Sequence, residues 1–87
     1  MKNIVFGEHA KHKFSILKQH DFIVSEAEII AAIIKPDKIL SGYGGRNIAR
    51  KAFDEKHVIR VIFENFSDMI KIITFYPGRR KRYEDEL

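Results

Sequence analysis

The sequence predicts an α+β domain spanning residues 1–87, with two N-terminal helices packed on one face of a four-stranded antiparallel meander sheet and a basic C-terminal arm. Helical periodicity is confined to the part before Pro36, and short β-branched runs separated by turn residues follow it. The short connections between those runs require antiparallel neighbours, because a parallel return needs a crossover of about a dozen residues or more. A chain of 87 residues has room for one core and hence for one domain.

The first helix is predicted over Glu8–His20. Its apolar residues Ala10, Phe14 and Leu17 recur at intervals of three and four, which makes one apolar stripe. The preceding Ile4–Phe6 is a short apolar piece closed by a glycine, and the pattern assigns no helix or strand to it.

The second helix is predicted to begin near Ser25, because Ser25 and Glu28 have the spacing of a capping box. Residues Ile29–Ile34 are apolar on every side, which indicates a buried central helix. Pro36 is expected to end this helix near Lys35, since the residue before a proline disfavours helical geometry.

The predicted strands are Lys38–Ser41, Asn47–Phe53, Val58–Glu64 and Met69–Tyr76. Both of the last two carry apolar residues at odd and even positions, which indicates central strands covered on both faces. The glycines of Gly42–Gly45 favour a turn; a phosphate-binding loop would need a following helix with lysine and a hydroxyl residue. Pro77 and Gly78 are expected to end the last strand.

The C-terminal arm carries four consecutive cations, Arg79–Arg82, between Tyr76 and Tyr83. Its cations precede the acids of Glu84–Glu86, an order that opposes the helix macrodipole. We therefore predict an irregular arm or a single turn.

Composition favours an anionic partner in the cytoplasm. The net charge is +4 and the isoelectric point is near 9.5, although solvated surface lysines give the same total. The chain has no cysteine, which excludes disulfides and thiolate chemistry and is compatible with a reducing compartment. The longest apolar run, Ile29–Ile34, is too short to cross a bilayer, so we expect no membrane partner.

Basic residues are spread over the predicted sheet and the arm. The candidate RNA-binding cations are Arg46, Arg50, Arg79, Arg80, Lys81 and Arg82. Arg60 interrupts the most apolar strand, so it either pairs with an acid (Glu8, Glu28 or Glu64) or lines a concave site. Guanidinium groups match phosphate, and tyrosine offers a ring on which a base can stack.

His9 and His12 lie three residues apart on the first predicted helix and share a face. A zinc site would need further ligands, and the chain offers neither cysteine nor a second histidine pair of this spacing. Two solvated histidines or a general acid–base at His9 therefore remain open. No nucleotide-binding fingerprint is present, so we expect neither a metal nor another cofactor.

Several short motifs together resemble a known family. They are a histidine early in the first helix, Lys35-Pro36-Asp37, Gly45-Arg46, Lys51, Arg60–Phe63, Ile73–Pro77, Arg80 and the closing Arg82-Tyr83. The pattern resembles a widespread bacterial and archaeal family of small domains related to the RelE, ParE and BrnT toxins of type II toxin–antitoxin systems. The resemblance covers nearly the whole chain.

The resemblance implies a helix–helix–sheet fold and a metal-independent RNA endonuclease that acts through 2′-hydroxyl attack. It implies His9 or Lys51 as base, Arg60 with Arg80 or Arg82 as electrostatic clamp, and Tyr76 or Tyr83 as acid or stacking platform. The candidate catalytic residues are therefore His9, Lys51, Arg60, Tyr76 and Tyr83. The implied partners are RNA, including mRNA on the ribosome, and a cognate antitoxin, and a homo-oligomer stays open. The alternative function is a non-catalytic module that binds RNA, DNA or an acidic protein.

Overall fold

A computed structural model describes residues 2–83, Tyr83 by its backbone alone, and within this part five strands form one sheet. The elements are β1 (Asn3–Phe6), α1 (Glu8–Gln19), α2 (Glu26–Ile34), β2 (Lys38–Ser41), β3 (Asn47–Ala52), β4 (His57–Asn65), β5 (Met69–Arg79) and the single-turn α3 (Arg80–Tyr83). The strand order is β1-β5-β4-β3-β2, and β2 to β5 form an antiparallel meander. The predicted α+β class and meander are confirmed.

The predicted four-stranded antiparallel sheet is wrong at one edge, because β1 pairs with β5 in parallel and makes the sheet mixed. Ile4 lies opposite Ile70, and Phe6 lies opposite Ile72. The partner of β1 is more than sixty residues away, so no local turn signal announces it. The apolar residues at both parities of β5 predicted a central strand, and β5 does lie between β1 and β4, but that pattern did not identify β1 as the neighbour.

The predicted end of the last strand at Tyr76 is also wrong. β5 continues through Pro77 and Gly78 to Arg79, which lies opposite His57. β1 pairs only with the Met69–Ile72 part of β5 among the described residues. Pro77 therefore lies on a stretch of β5 whose outer edge has no strand partner in residues 2–83, where a missing N–H is tolerated.

A β-bulge in β5 explains its imperfect alternation. Ile62 of β4 lies opposite Thr74, whereas the next residue, Phe63, lies opposite Ile72, so Ile73 is the extra residue. The bulge brings Ile72 and Phe75, which have opposite parity, to the same face of the sheet, and both are fully buried.

The predicted helix signals hold at both helices. Ser25 Oγ accepts from the Glu28 N–H at 3.1 Å, and Glu28 Oε1 accepts from the Ser25 N–H at 2.9 Å, which is the capping box. Asp21 follows the end of α1 with a φ of 62°, a left-handed conformation that ends the helix. α2 is less buried than predicted: Ile29 and Ala32 are inside, whereas Ile34 is about half exposed.

Both helices pack on one face of the sheet, here called the helix face, and the opposite side is called the open face. Buried residues of the helix face join buried residues of α1 and α2 in one cluster. These are Ala10, Leu17, Ile29, Ala32, Ala49, Ile59, Val61, Phe63, Ile72 and Phe75. Since side chains alternate along a strand, Arg50, Arg60 and Tyr76 belong to the open face.

Of the C-terminal arm, Arg79 belongs to β5 and Arg80–Tyr83 form α3, which is the single turn that the charge order allowed; Glu84–Glu86 lie outside the described part of the chain. The Arg80 N–H donates to the Lys56 carbonyl at 2.8 Å, and Arg80 Nη1 donates to the Asp54 carbonyl at 3.1 Å. These bonds fix the start of α3 to the β3–β4 turn. The predicted arm is thus continuous with β5 at Arg79 and hydrogen-bonded to the β3–β4 turn at Arg80.

Candidate functional site

Four strands contribute one residue each to a straight row on the open face. Lys38 lies opposite Arg50, Arg50 opposite Arg60, and Arg60 opposite Tyr76. Directly opposite residues of an antiparallel pair have Cβ atoms about 5 Å apart. The structure therefore brings Arg50, Arg60 and Tyr76 together, and we call Lys38, Arg50, Arg60 and Tyr76 the sheet row.

The sheet row is largely integrated into the fold. Arg50 is 1% exposed, and Arg60 is half-buried with its guanidinium carbon 5.2 Å from the centroid of the Tyr76 ring. Both arginines make further interactions within the protein. A guanidinium as buried as that of Arg50 does not reach an RNA in this conformation, which removes one predicted RNA-binding cation from the surface.

A second group of cations lies exposed where β4 begins and β5 ends. An open depression of about 580 Å³ there is lined by Glu55, Lys56, His57, Arg79 and Lys81. His57 and Arg79 are directly opposite each other in the sheet, and Lys81 comes from α3. We call Lys56, His57, Arg79 and Lys81 the basic end. Arg82, one residue further in α3, is also exposed.

The basic end contains a histidine whose ring is held by a carboxylate. Asp54 Oδ1 lies 3.0 Å from His57 Nδ1 and accepts from the backbone N–H groups of Lys56 at 2.8 Å and His57 at 2.7 Å. The His57 and Phe22 rings also pack edge to face, with centroids 5.2 Å apart. These contacts leave the His57 side chain 34% exposed and fixed in orientation.

The same hydrogen bonds keep Asp54 ionised. The hydrogen bond from the Lys56 N–H is the largest influence on the Asp54 carboxyl and lowers its pKa. Desolvation opposes it, and the bonds from His57 and the charge of its ring add to the lowering, so the net direction is downward. The carboxylate is therefore negative throughout the neutral range and can only accept hydrogen bonds.

The structure does not bring the two predicted bases to the basic end. Lys51 lies on the helix face opposite Ile59, and its Nζ donates to the Lys35 carbonyl at 2.8 Å, at the end of α2. His9 lines a small depression with Arg46, Glu64 and Lys71. Glu64 and His57 are seven residues apart on β4, a distance of about 23 Å along a strand.

Arg46 also lies near His9, Glu64 and Lys71, at the end of the sheet opposite the basic end, which we call the far end. Its Nε lies 3.6 Å from Glu64 Oε1, and its side chain is half exposed. The acids proposed for Arg60 from sequence thus include one, Glu64, that pairs with a different arginine. The Tyr83 side chain lies outside the described part of the chain, so its predicted role stays a prediction.

The described residues hold no group of three or more histidine, cysteine or acidic side chains placed to bind a metal ion. Within the same residues, no helix combines the length and the apolar character that crossing a membrane requires.

Comparison with known proteins gives no match at any level: no family model matches the chain, and neither a curated protein nor a solved structure does.

The sequence predicted a turn at Asp54 but assigned no functional role to Asp54 or His57. The signal was present, because an aspartate that opens a tight turn accepts hydrogen bonds from residues two and three further on. The spacing from Asp54 to His57 is that of such a turn, with the histidine in the position to receive the carboxylate. The functional importance of this Asp54–His57 turn depends on Arg79 and Lys81. These two residues lie beside His57 only in the folded chain.

Proposed function

We propose that this chain is a toxin-like RNA endonuclease in which the basic end binds the RNA backbone. One observation carries the proposal: three exposed cations from two separate stretches, Lys56, Arg79 and Lys81, surround one open depression that also contains a histidine. Cations converging on a solvent-accessible hollow favour a ligand with several negative charges. Among ligands of this kind we propose RNA, because the chain resembles the RelE, ParE and BrnT toxins.

The chemistry proposed for the site needs few groups. Attack of a ribose 2′-hydroxyl on the neighbouring phosphorus requires a base for the hydroxyl proton and cations for the charge that grows on the phosphate oxygens. Arg79 and Lys81 supply the cations, and Arg82 extends the charge along α3. Arg60 and Tyr76 support the adjoining part of the sheet.

The proposed partners follow from the exposed charge. RNA, including mRNA on the ribosome, is the substrate, and an antitoxin with an acidic segment covers the same cations when it inhibits the enzyme. A homo-oligomer is compatible with both.

A non-catalytic RNA- or protein-binding module is the second candidate. It is favoured by the placement of Lys51 on the helix face and of His9 at the far end, away from the cations they were expected to serve. Such a module would use the basic end for attraction alone.

Induced expression in a bacterial host separates the two candidates. The nuclease proposal expects growth arrest and cleaved RNA with the wild-type chain, and relief of both with Arg79→Ala/Lys81→Ala. Arg46→Ala is the matched control, because it removes an exposed cation from the far end. Intact RNA with retained RNA binding would leave the binding module.

A further inference from the structure

We propose that His57 is the general base of the RNA cleavage reaction and that Asp54 is its positioning residue. The inference deepens the proposed function and rests on it. It names a residue that neither the sequence motifs nor the resemblance singled out.

Hydrogen bonding assigns the tautomer of His57. An ionised carboxylate has no proton to donate, so the His57 Nδ1 that faces Asp54 Oδ1 at 3.0 Å must carry the hydrogen. In the neutral ring the lone pair then belongs to Nε2. A carboxylate that orients an imidazole in this way leaves the second nitrogen ready to accept a proton.

The charges around His57 are mixed in a way that suits a phosphodiester. Asp54 faces the ring from its own turn, Arg79 lies directly opposite it on β5, and the other charged groups of the depression are Glu55, Lys56 and Lys81. The Asp54 carboxylate is occupied by the ring, and the depression itself is lined by three exposed cations and one exposed carboxylate, Glu55, so its lining keeps a positive balance. A phosphate drawn to those cations is brought beside the ring nitrogen that lacks a hydrogen.

The step balances without a cofactor. The 2′-oxygen forms a bond to phosphorus as His57 Nε2 takes its proton, and the bond from phosphorus to the 5′-oxygen breaks. The departing 5′-oxygen takes a proton from water of the open depression, and the imidazolium returns its proton to the hydroxide so formed. The products are a 2′,3′-cyclic phosphate and a 5′-hydroxyl end.

Asp54 acts through His57. Its carboxylate holds the ring by Nδ1, and its bonds to the Lys56 and His57 N–H groups fix the turn that carries the ring. Loss of the carboxylate should therefore slow the chemical step more than it weakens RNA binding.

The test uses the full chain and a labelled mRNA, offered free and in a purified translation mixture. His57→Asn is the central variant, because an asparagine amide can still donate to Asp54 while Nε2 is removed. We expect cleavage to fall about 100-fold or more, with RNA affinity within about twofold of wild type. Asp54→Asn should lower kcat about 10-fold with KM nearly unchanged, and added imidazole should restore part of the cleavage lost in His57→Ala.

His12→Asn serves as the control, since it removes an exposed histidine from the middle of α1 and should cleave as the wild type does. Circular dichroism melts of every variant identify any that fails to fold. Wild-type cleavage with an equally active, folded His57→Asn would overturn the assignment of His57 and leave the nuclease proposal standing. A wild-type chain that binds both RNA samples but cleaves neither would overturn both.

Discussion

The sheet row and the basic end contain similar residues and differ in what surrounds them. Arg50 in the sheet row is 1% exposed and Arg60 packs on the Tyr76 ring, whereas the side chains of the basic end surround an open depression. A buried guanidinium is fixed by the protein around it, and an exposed one can exchange water for a ligand. Exposure, which a count of charges does not contain, therefore separates the structural cations of the sheet row from the cations that we propose to bind RNA.

The largest expected effect is on stability, at Arg50. Arg50→Ala removes a long buried side chain and the interactions it makes, and should lower the free energy of unfolding by about 3 kcal/mol in urea titrations. Arg50→Met, which keeps most of the volume, should lose clearly less. Lys81→Ala, the matched loss of an exposed cation, should change stability by about 0.5 kcal/mol or less. Equal small changes at both sites would show that the two regions do not differ.

The next effect is on RNA binding, at the basic end. Arg79→Ala/Lys81→Ala should weaken binding of a single-stranded RNA about 10-fold and lower the slope of log K against log salt by about 1.4, because each phosphate contact contributes about 0.7. Filter binding between low and moderate salt measures the slope. Arg46→Ala should leave the slope nearly unchanged. A drop of about 0.7 with that control, which is the share of one cation, would mean that any exposed cation contributes to binding regardless of its position.

A smaller effect is expected inside the sheet row. A double-mutant cycle of Arg60→Ala and Tyr76→Leu should give a coupling of about 1 kcal/mol, as expected for a half-buried cation over a ring. The exposed Arg46–Glu64 pair at 3.6 Å should give about 0.5 kcal/mol or less. A coupling near zero for Arg60 and Tyr76 would remove the argument that the row is structural.

The smallest effect concerns pH at the basic end. Hydrogen bonds from the Lys56 and His57 N–H groups lower the pKa of Asp54 in the folded protein below its usual value of about 3.9. A depressed folded pKa adds stability that is present above about pH 3.9 and is lost as the pH falls through the folded value. The difference in unfolding free energy between wild type and Asp54→Asn should therefore stay constant near neutrality and shrink below about pH 4. Acid titrations of both proteins measure it, and a difference that grows on acidification would contradict the assignment.

Much of the fold could be predicted because its signals are local. The Ser25 capping box, the turn at Gly42–Gly45 and the strand runs from Lys38 onward each depend on neighbouring residues, and the structure confirms them. The pairing of β1 with β5 joins distant residues, so no local turn signal announces it. β5 can continue through Pro77 because β1 pairs only with its first residues, Met69–Ile72. This pairing is a tertiary contact that the local sequence does not report.

The candidate site was predictable only in part. Sequence placed Arg60 and Tyr76 in adjacent strands, and their contact is present. It could not tell that Lys51 faces the helices, because a one-residue change of parity moves a side chain to the other face. The pairing of His57 with Arg79 follows from the register of β4 and β5. It could not be predicted, because the last strand was expected to end at Tyr76, before Arg79.

We propose above all that RNA binds at the basic end. It is not expected to bind at the sheet row or at the far end around His9. An NMR titration of the labelled protein with a short single-stranded RNA tests it most directly, residue by residue. We expect the largest shifts at the backbone amides of Lys56, His57, Arg79 and Lys81, with Arg46 and Lys71 nearly unmoved. Shifts centred on His9, Arg46 and Lys71, or no saturable shifts at all, would contradict the account.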